Sequence, residues 1–347
     1  MDRNVSKLLL VFKWNLGECS QVDISNMLRL LSGSGVVREL SRNLYEVEGS
    51  VDLGELMEHA YRSVTLSDVI VVREEVEIGD CTLDAEPGSK EWFRSVKMVI
   101  IGEKPNKVRV VNCLLGKFIQ KSNLSLGEIY PEHGQRFFLL VDFAREKAYW
   151  GEIFHSFRRD RFTYRSPEKR PYLQFSALSP KLALFLVNLS TQGLGASNET
   201  RTFLDPFCGS GSTLIEAALL GFYAVGVEIH YRPVRGARRN VIFHGLYERV
   251  DLILSDASML PLRANAVDAI AFDPPYGRLA SAKGRSPDET LKLALRRVKE
   301  ALKKRGSCVF LYPYEGANAE LRDLGCEEIC WIREHSSLTR SVWRCTK

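Results

Sequence analysis

The chain has 347 residues, of which 45% are hydrophobic and 26% charged, enough for two or three domains with full cores. That balance excludes a disordered or fibrous chain, and a net charge of +5 is too small to identify a polyanion-binding protein by itself. No apolar run approaches the ~18 residues of a membrane span and no charged-then-apolar leader is visible, so a cytoplasmic protein without membrane contact is expected.

Eight cysteines are present. Cys19, Cys81, Cys113, Cys208 and Cys308 are scattered, while Cys326, Cys330 and Cys345 lie closer together. They form no CxxC pair and have no paired histidines, so no metal site and reduced thiols are expected.

In chain order, Lys7–Trp14 reads as a strand, and Ile24–Leu31 as a helix stopped by Ser32-Gly33-Ser34-Gly35. Val36–Val47 has strand character with a polar interruption, and Leu53–Tyr61 reads as a helix. This β-α-β-α order predicts a small α+β unit of the ferredoxin-like kind over residues 1–62. Strand candidates at Val69–Val72, Val96–Ile101, Phe137–Asp142 and Lys147–Glu152, with the polar stretch Gly116–Pro131 among them, predict a second unit over 63–155. Phe157–Tyr172 holds six basic, two acidic and four aromatic residues. Its prolines at 167 and 171 oppose a long regular element, which predicts a linker over 156–172.

From 173 to 347 strands and helices alternate. Strands are expected at Thr202–Leu204, Tyr223–Glu228, Val250–Leu254, Val267–Phe272 and Ser307–Tyr312. Helices are expected at Ser212–Leu220, Pro233–His244 and Glu289–Lys304. Such alternation predicts an α/β domain, a parallel sheet covered by helices on both faces.

The strongest local signal is Asp205-Pro206-Phe207-Cys208-Gly209-Ser210-Gly211-Ser212-Thr213, which follows a strand and opens a helix. Its glycines allow a tight turn and close approach of a ligand. Glu228 ends the next strand, 23 residues after Asp205, where a carboxylate can accept from both ribose hydroxyls. That spacing also suits a dinucleotide enzyme. The third glycine of such a loop is missing, however, and a carboxylate in the turn suits the ammonium of a methionine-like tail better than a pyrophosphate. Asp256 ends the following strand and can accept from an adenine amino group. Phe207, Ile229 and Ala257 flank these acids. Taken singly, each acid could equally be a helix cap.

Asp273-Pro274-Pro275-Tyr276-Gly277 follows the apolar strand Val267–Phe272, at the carboxyl end where open α/β sheets place their chemistry. Asp273 and the Pro274 carbonyl offer two acceptors to one exocyclic amine, and Tyr276 offers a flat face to a base. Acceptors on both hydrogens push such a nitrogen toward tetrahedral geometry and restore its lone pair.

Asp205–Gly211 with Asp273–Tyr276 resembles the amino-group-directed class I (Rossmann-like) methyltransferases, whose motifs read DPFCGSG and DPPY. Asn123–Glu152, with its late Tyr149-Trp150-Gly151-Glu152, resembles the end of a THUMP tRNA-binding domain. Ser176–Ala183 resembles the helix that leads into the catalytic domain, and the tail His335–Arg340 matches the same family. The whole chain is similar to archaeal tRNA guanosine-10 N2-methyltransferases, relatives of the eukaryotic Trm-eleven type. The resemblance implies S-adenosylmethionine bound by Asp205, Phe207, Gly209, Gly211, Glu228, Ile229, Asp256, Ala257 and Asp273, with Asp273, Pro274 and Tyr276 at the target amine. It implies guanosine N2 methylation in tRNA, once or twice, the motifs being common to both. The alternatives are another tRNA guanosine, an adenine N6, or a non-catalytic tRNA scaffold.

Arg158, Arg159, Arg161 and Arg165 in the linker, and Arg235 and Arg239 in the basic helix, are the candidate RNA contacts. Val250–Leu254 carries a single charge and, by the resemblance, lies at the sheet edge. Strand addition by a small zinc-binding activator subunit, as in eukaryotic relatives, is expected there.

Overall fold

The computed structural model describes residues 4–13, 16–80, 96–103, 107–122, 137–194, 199–275, 286–314, 318–335 and 338–347. The chain forms two compact units. One comprises Met1–Trp14, Ile24–Tyr61 and Thr65–Arg158, the other Asn15–Asp23, Arg62–Val64 and Arg159–Lys347.

The first unit is built on one seven-stranded sheet. Its strands are β1 (Asn4–Phe12), β2 (Gly35–Ser41), β3 (Leu44–Asp52), β4 (Leu66–Glu77), β5 (Val96–Ile101), β6 (Phe137–Asp142) and β7 (Lys147–Ser156), in the order β2-β3-β1-β4-β7-β6-β5. The strands expected in two separate modules therefore share a sheet, joined where β4 pairs antiparallel with β1 and β7. The single strand expected over Val36–Val47 is two, because Asn43 at φ 71° makes a turn between β2 and β3. Helices α1 (Cys19–Leu31), α2 (Leu53–Ala60) and α3 (Lys107–Ser122) accompany the strands. Val111, Leu114, Leu115 and Phe118 of α3 pack on Phe137, Leu139, Val141 and Trp150. The Trp150 ring stacks between Phe118 and Phe137 at 5.4 and 5.5 Å. Residues 123–136 of the THUMP-like stretch lie outside the described residues.

The second unit carries the expected α/β pattern. Strands β8 (Thr202–Asp205), β9 (Tyr223–Glu228), β10 (Val250–Leu254), β11 (Val267–Phe272), β12 (Leu302–Pro313), β13 (Cys326–His335) and β14 (Leu338–Thr346) form a second sheet in the order β10-β9-β8-β11-β12-β14-β13. The first five run parallel, while β14 enters antiparallel between β12 and β13. The helices are α4 (Pro180–Ser190), α5 (Ser212–Leu219), α6 (Tyr231–Phe243), α7 (Pro287–Ala301) and α8 (Asn318–Asp323). Ile270 and Phe272 of β11 alternate with Ala269 and Ala271, as a strand buried on both faces requires. The larger pair meets Leu291, Leu295 and Val298 of α7. Ser286 caps α7 by accepting from Glu289 N at 3.1 Å, and Pro287 occupies its first turn. Lys303, expected on that helix, is already in β12 and pairs with Asp268 at 2.9 Å.

Two expectations need correction. Residues 159–172 are not a free linker on this unit. They form short 3-10 turns, Arg159–Arg165 and Pro167–Lys169, with Phe162, Arg165, Pro167 and Arg170 buried. The cysteines are not all reduced thiols either. Disulfides join Cys19 to Cys330 and Cys326 to Cys345, and Cys113 is also bonded. Among the described residues Cys208 and Cys308 are free, and Cys81 lies outside them. The thiol argument for a reducing compartment falls with this pairing, which spans 311 residues and leaves no trace in local spacing. Among the described residues no helix is long and apolar enough to cross a membrane, and no cluster of ligating side chains could hold a metal.

Candidate active site

The carboxyl ends of β8, β9, β10 and β11 each deliver an acid. Asp205 is the last residue of β8 and almost fully buried. Its Oδ1 accepts from Phe207 N at 2.9 Å and its Oδ2 from the Thr213 hydroxyl, so the acid ties the loop to the first turn of α5. Gly209 (φ 49°) and Gly211 (φ 87°) make the turn between them, in the left-handed region where a side chain would be strained. Gly211 is the N-cap of α5, leaving that helix terminus bare toward the loop.

Glu228, the last residue of β9, is half-buried, and each of its oxygens accepts from a backbone amide. Its Oε2 accepts from Gly209 N at 3.2 Å and its Oε1 from His230 N at 2.9 Å. Ile229 beside it is half-buried. Asp256, after β10, caps the short turn Ala257–Met259, its Oδ1 accepting from Ser258 N at 2.9 Å. Ala257 is buried beneath it. The same Oδ1 accepts from the Ser258 hydroxyl at 2.7 Å, so Asp256 does act as a helix cap while standing just past the end of β10. Phe207 turns its ring onto Phe272 at 5.4 Å, fastening the loop to β11.

Asp273 follows β11 directly. Its Oδ2 accepts from Arg340 Nη1 at 2.7 Å, while its Oδ1 is buried and has no partner among the described residues. Pro274 is buried and Pro275 exposed. Tyr276 and Gly277 lie outside the described residues. Burial pushes the Asp273 carboxyl up to about 6, with Arg340 pulling it down and Glu334 adding to the rise. Burial likewise pushes Asp205 up to about 7, against the Thr213 hydroxyl and the Phe207 amide, with Asp273 and Glu228 adding repulsion. Asp205 thus lies in the field of both Asp273 and Glu228. Such a cluster favours a ligand that carries positive charge.

These residues fit S-adenosylmethionine on that ground. The acids suit its positive charge, and the left-handed glycine turn leaves backbone room beside them. Gln174 adds a buried Oε1 that no described residue satisfies, 3.1 Å from where a Cβ on Gly209 would stand. Sequence reading missed Gln174.

It also missed what holds the loop. Asn240 of α6 is fully buried and takes three bonds: from Tyr172 N at 2.9 Å, to Tyr172 O at 3.0 Å and to Ser210 O at 3.0 Å. Gly236 lets the Tyr172 ring lie against α6, since a Cβ there would sit 2.1 Å from it. Arg170 donates to the Ser212 hydroxyl at 2.7 Å, and Ser212 donates to Leu178 O at 3.0 Å. A lone buried asparagine or arginine has no local signature, which is why these escaped.

Arg165 is a correction to the expected RNA contacts. It is buried and grips Glu216 with two nitrogens, at 2.8 and 3.0 Å. Burial lowers its pKa, and the Glu216 carboxylate more than offsets this, holding it above its ordinary value. A guanidinium so enclosed is not offered to a phosphate. Arg161 is half-buried and donates to the Ser63 carbonyl. Arg158 is exposed, and the Arg159 side chain lies outside the described residues. Arg235 and Arg239 are exposed on α6, with Arg235 over the Tyr231 ring at 5.7 Å. Strand β10 ends the sheet, as expected, with Leu254 53% exposed.

Residues 167–324 match the UPF0020 family model, an RMKL-like methyltransferase domain. In fold, the chain is similar to TrmN from Thermus thermophilus (TM-score 0.53, 16% identity, covering 98% of this chain and 100% of that one). In sequence, it is 37% identical over 186 residues to the tRNA (guanine(10)-N2)-dimethyltransferase of Methanothermobacter thermautotrophicus, a match covering 53% of each chain. The match thus spans about half the length of that relative. A probable tRNA (guanine(10)-N2)-dimethyltransferase of Methanothermococcus thermolithotrophicus is 32% identical over 169 residues, covering 47% of this chain and 95% of the relative. With the DPFCGSG turn and the DPP loop standing where that chemistry needs them, the chain belongs to the family of the tRNA (guanine(10)-N2)-dimethyltransferases.

Proposed function

We propose that this protein transfers a methyl group from S-adenosylmethionine to the exocyclic N2 amine of a guanosine in tRNA, at position 10. The observation that carries the reading is the buried Asp273 Oδ1, an acceptor with no partner among the described residues, in the loop that ends β11. An amine placed against it satisfies that oxygen and gains electron density in return. The cofactor, when bound, supplies an electrophilic methyl on sulfur. Asp273 and the Pro274 carbonyl hold the two amine hydrogens and turn the nitrogen lone pair toward that methyl, and Tyr276 stacks on the base. Bound there, the cofactor would give up that methyl to the amine nitrogen and keep the electron pair of the broken S–C bond on its sulfur. The nitrogen then carries a surplus proton, which Asp273, at about 6, can take and pass to water. Positioning and fixed charge contribute most of the acceleration. Asp205 and Glu228 hold the cationic tail and the ribose, and Asp256 the adenine.

The first unit, read as a ferredoxin-like module over 1–62 with a THUMP module over 63–155, holds the tRNA in the cytoplasm. Arg158, Arg235 and Arg239 supply phosphate contacts. The open side of β10 is where a small zinc-binding activator adds a strand. Co-expression with such a subunit and size-exclusion chromatography tests this point, and Leu252→Lys is expected to break the complex.

The catalytic reading is tested by Asp273→Ala in a methyl-transfer assay, with calorimetry for the cofactor. Transfer is expected to fall by about 1,000-fold, within the range for a positioned acid–base group, with cofactor affinity within about twofold. Near-normal turnover in a folded variant contradicts the role.

A further inference from the structure

The side chain that grips Asp273 comes from 67 residues along the chain. Arg340 lies on β14, opposite Pro313 of β12 and Ile332 of β13, and so belongs to a strand separated from β11 by β12. It is only 3% exposed. Its Nη1 donates to Asp273 Oδ2 at 2.7 Å, and its Nη2 donates to Glu334 Oε1. We propose that Arg340, locked in place by Glu334, is the positioning residue that aims Asp273 Oδ1 at the target amine and keeps that carboxyl an acceptor. The inference rests on Asp273 being the acceptor for that amine.

Three observations support it. First, the planar guanidinium is engaged at two of its nitrogens by carboxylates on separate segments, so it cannot swing without breaking one of them. Second, the grip on Asp273 is through one oxygen. A pair serving the scaffold alone would close both oxygens, as Arg165 does with Glu216. Here the second oxygen is buried and left over, a state that burial normally selects against. Third, among the described residues Arg340 is the charge that pulls the Asp273 carboxyl down, against burial and Glu334, and Asp205 lies in the Asp273 field. Without Arg340, burial and the Glu334 carboxylate would push the Asp273 carboxyl further up, toward its protonated form. A protonated carboxyl presents a donor where the amine hydrogens need an acceptor.

The test uses full-length Arg340→Met and Arg340→Lys, assayed for methyl transfer to unmodified tRNA from about pH 5 to 9, with cofactor affinity measured alongside. Arg340→Met is expected to lose about 100-fold in kcat near neutral pH, the scale of a misplaced catalytic group, with cofactor affinity almost unchanged. Its acidic limb should move to higher pH. Arg340→Lys should bring the limb part of the way back, because a point charge remains, and recover less of the rate, because the fork is gone. A folded Arg340→Met with wild-type kcat and an unmoved limb overturns the proposal. Should Arg340→Met not fold, the Asp273 carboxyl is titrated by carbon NMR in wild type, Arg340→Lys and Glu334→Gln, assigned with Asp273→Asn. An upward move in Arg340→Lys and a downward move in Glu334→Gln are expected, and an unmoved Asp273 in both overturns the proposal. The titration needs no turnover. A failure of the amine-acceptor reading shows instead as an active Asp273→Ala, so the two failures are distinguishable.

Discussion

Two buried arginines in the second unit make opposite use of an ion pair. Arg165 meets Glu216 fork to fork, with both carboxylate oxygens engaged, while Arg340 divides itself between Asp273 and Glu334 and leaves one Asp273 oxygen over. The first arrangement is closed and can do nothing but hold: it fastens the Arg159–Arg165 turn to α5, whose N-terminus carries the glycine loop. The second leaves an acceptor over at the carboxyl end of β11. Neither pairing shows in the sequence, since Glu216 lies 51 residues from Arg165 and Asp273 67 residues from Arg340. What separates scaffold from chemistry here is the number of acceptor atoms left unsatisfied after folding.

The comparison breaks most visibly at Glu216. Glu216→Ala strands the Arg165 charge in the core and is expected to cost about 3–5 kcal/mol, read as a lower denaturation midpoint. Arg165→Met with Glu216→Leu should recover most of that loss, because a well-packed apolar pair replaces a buried ion pair at little cost. Transfer per folded molecule should remain near wild type in the double variant. Little loss in the single variant would show that water reaches the pair and that it is not the closed scaffold described.

A smaller effect is expected at Asp205, whose two oxygens each accept one bond from its own loop and helix start. Its folded pKa, about 7, lies above the ordinary carboxylate value because of burial. Such a group contributes stability that is present below the unfolded pKa and is lost as pH rises through 7. The gap in stability between wild type and Asp205→Asn, both without cofactor, should therefore move in favour of the variant by on the order of 2 kcal/mol between pH 5 and 8. A pH-independent gap would place the proton elsewhere.

The smallest effect separates the buried arginine from the exposed ones. Arg235→Ala and Arg239→Ala should each lower the salt slope of tRNA binding by about 1 and leave thermal stability within about 0.5 kcal/mol. Arg165→Met should do the reverse, lowering stability and sparing the slope. Equal salt slopes for all three would remove α6 from the RNA surface.

How much of this was legible follows from distance along the chain. The DPFCGSG turn and the DPP loop were readable because a strand end, a tight turn and a helix start are contiguous. Glu228 and Asp256 followed by the same rule, one strand at a time. Helix α3 was missed because Gly116 and Lys117 interrupt its apolar positions, and only the strands it packs on restore the pattern. The β13–β14 hairpin was missed because register shifts at Glu328/Cys330 and Arg333/His335 break the alternation that marks a strand. With the hairpin went Arg340, 67 residues from Asp273, though its stretch of sequence matched the family. The arginine-rich segment 157–172 misled for a related reason. Composition counts charges, but burial of Arg165 and Arg170 is decided by Glu216 and Ser212, which lie more than 40 residues away.

The account stands or falls on which atom receives the methyl group. Unmodified tRNA incubated with the full-length protein and S-adenosylmethionine, digested to nucleosides and examined by mass spectrometry, answers this directly. The account predicts N2-methylated guanosine, lost when Asp273→Ala replaces the wild type. Methylated adenosine, or no methylated nucleoside from a folded protein that binds the cofactor, would contradict it.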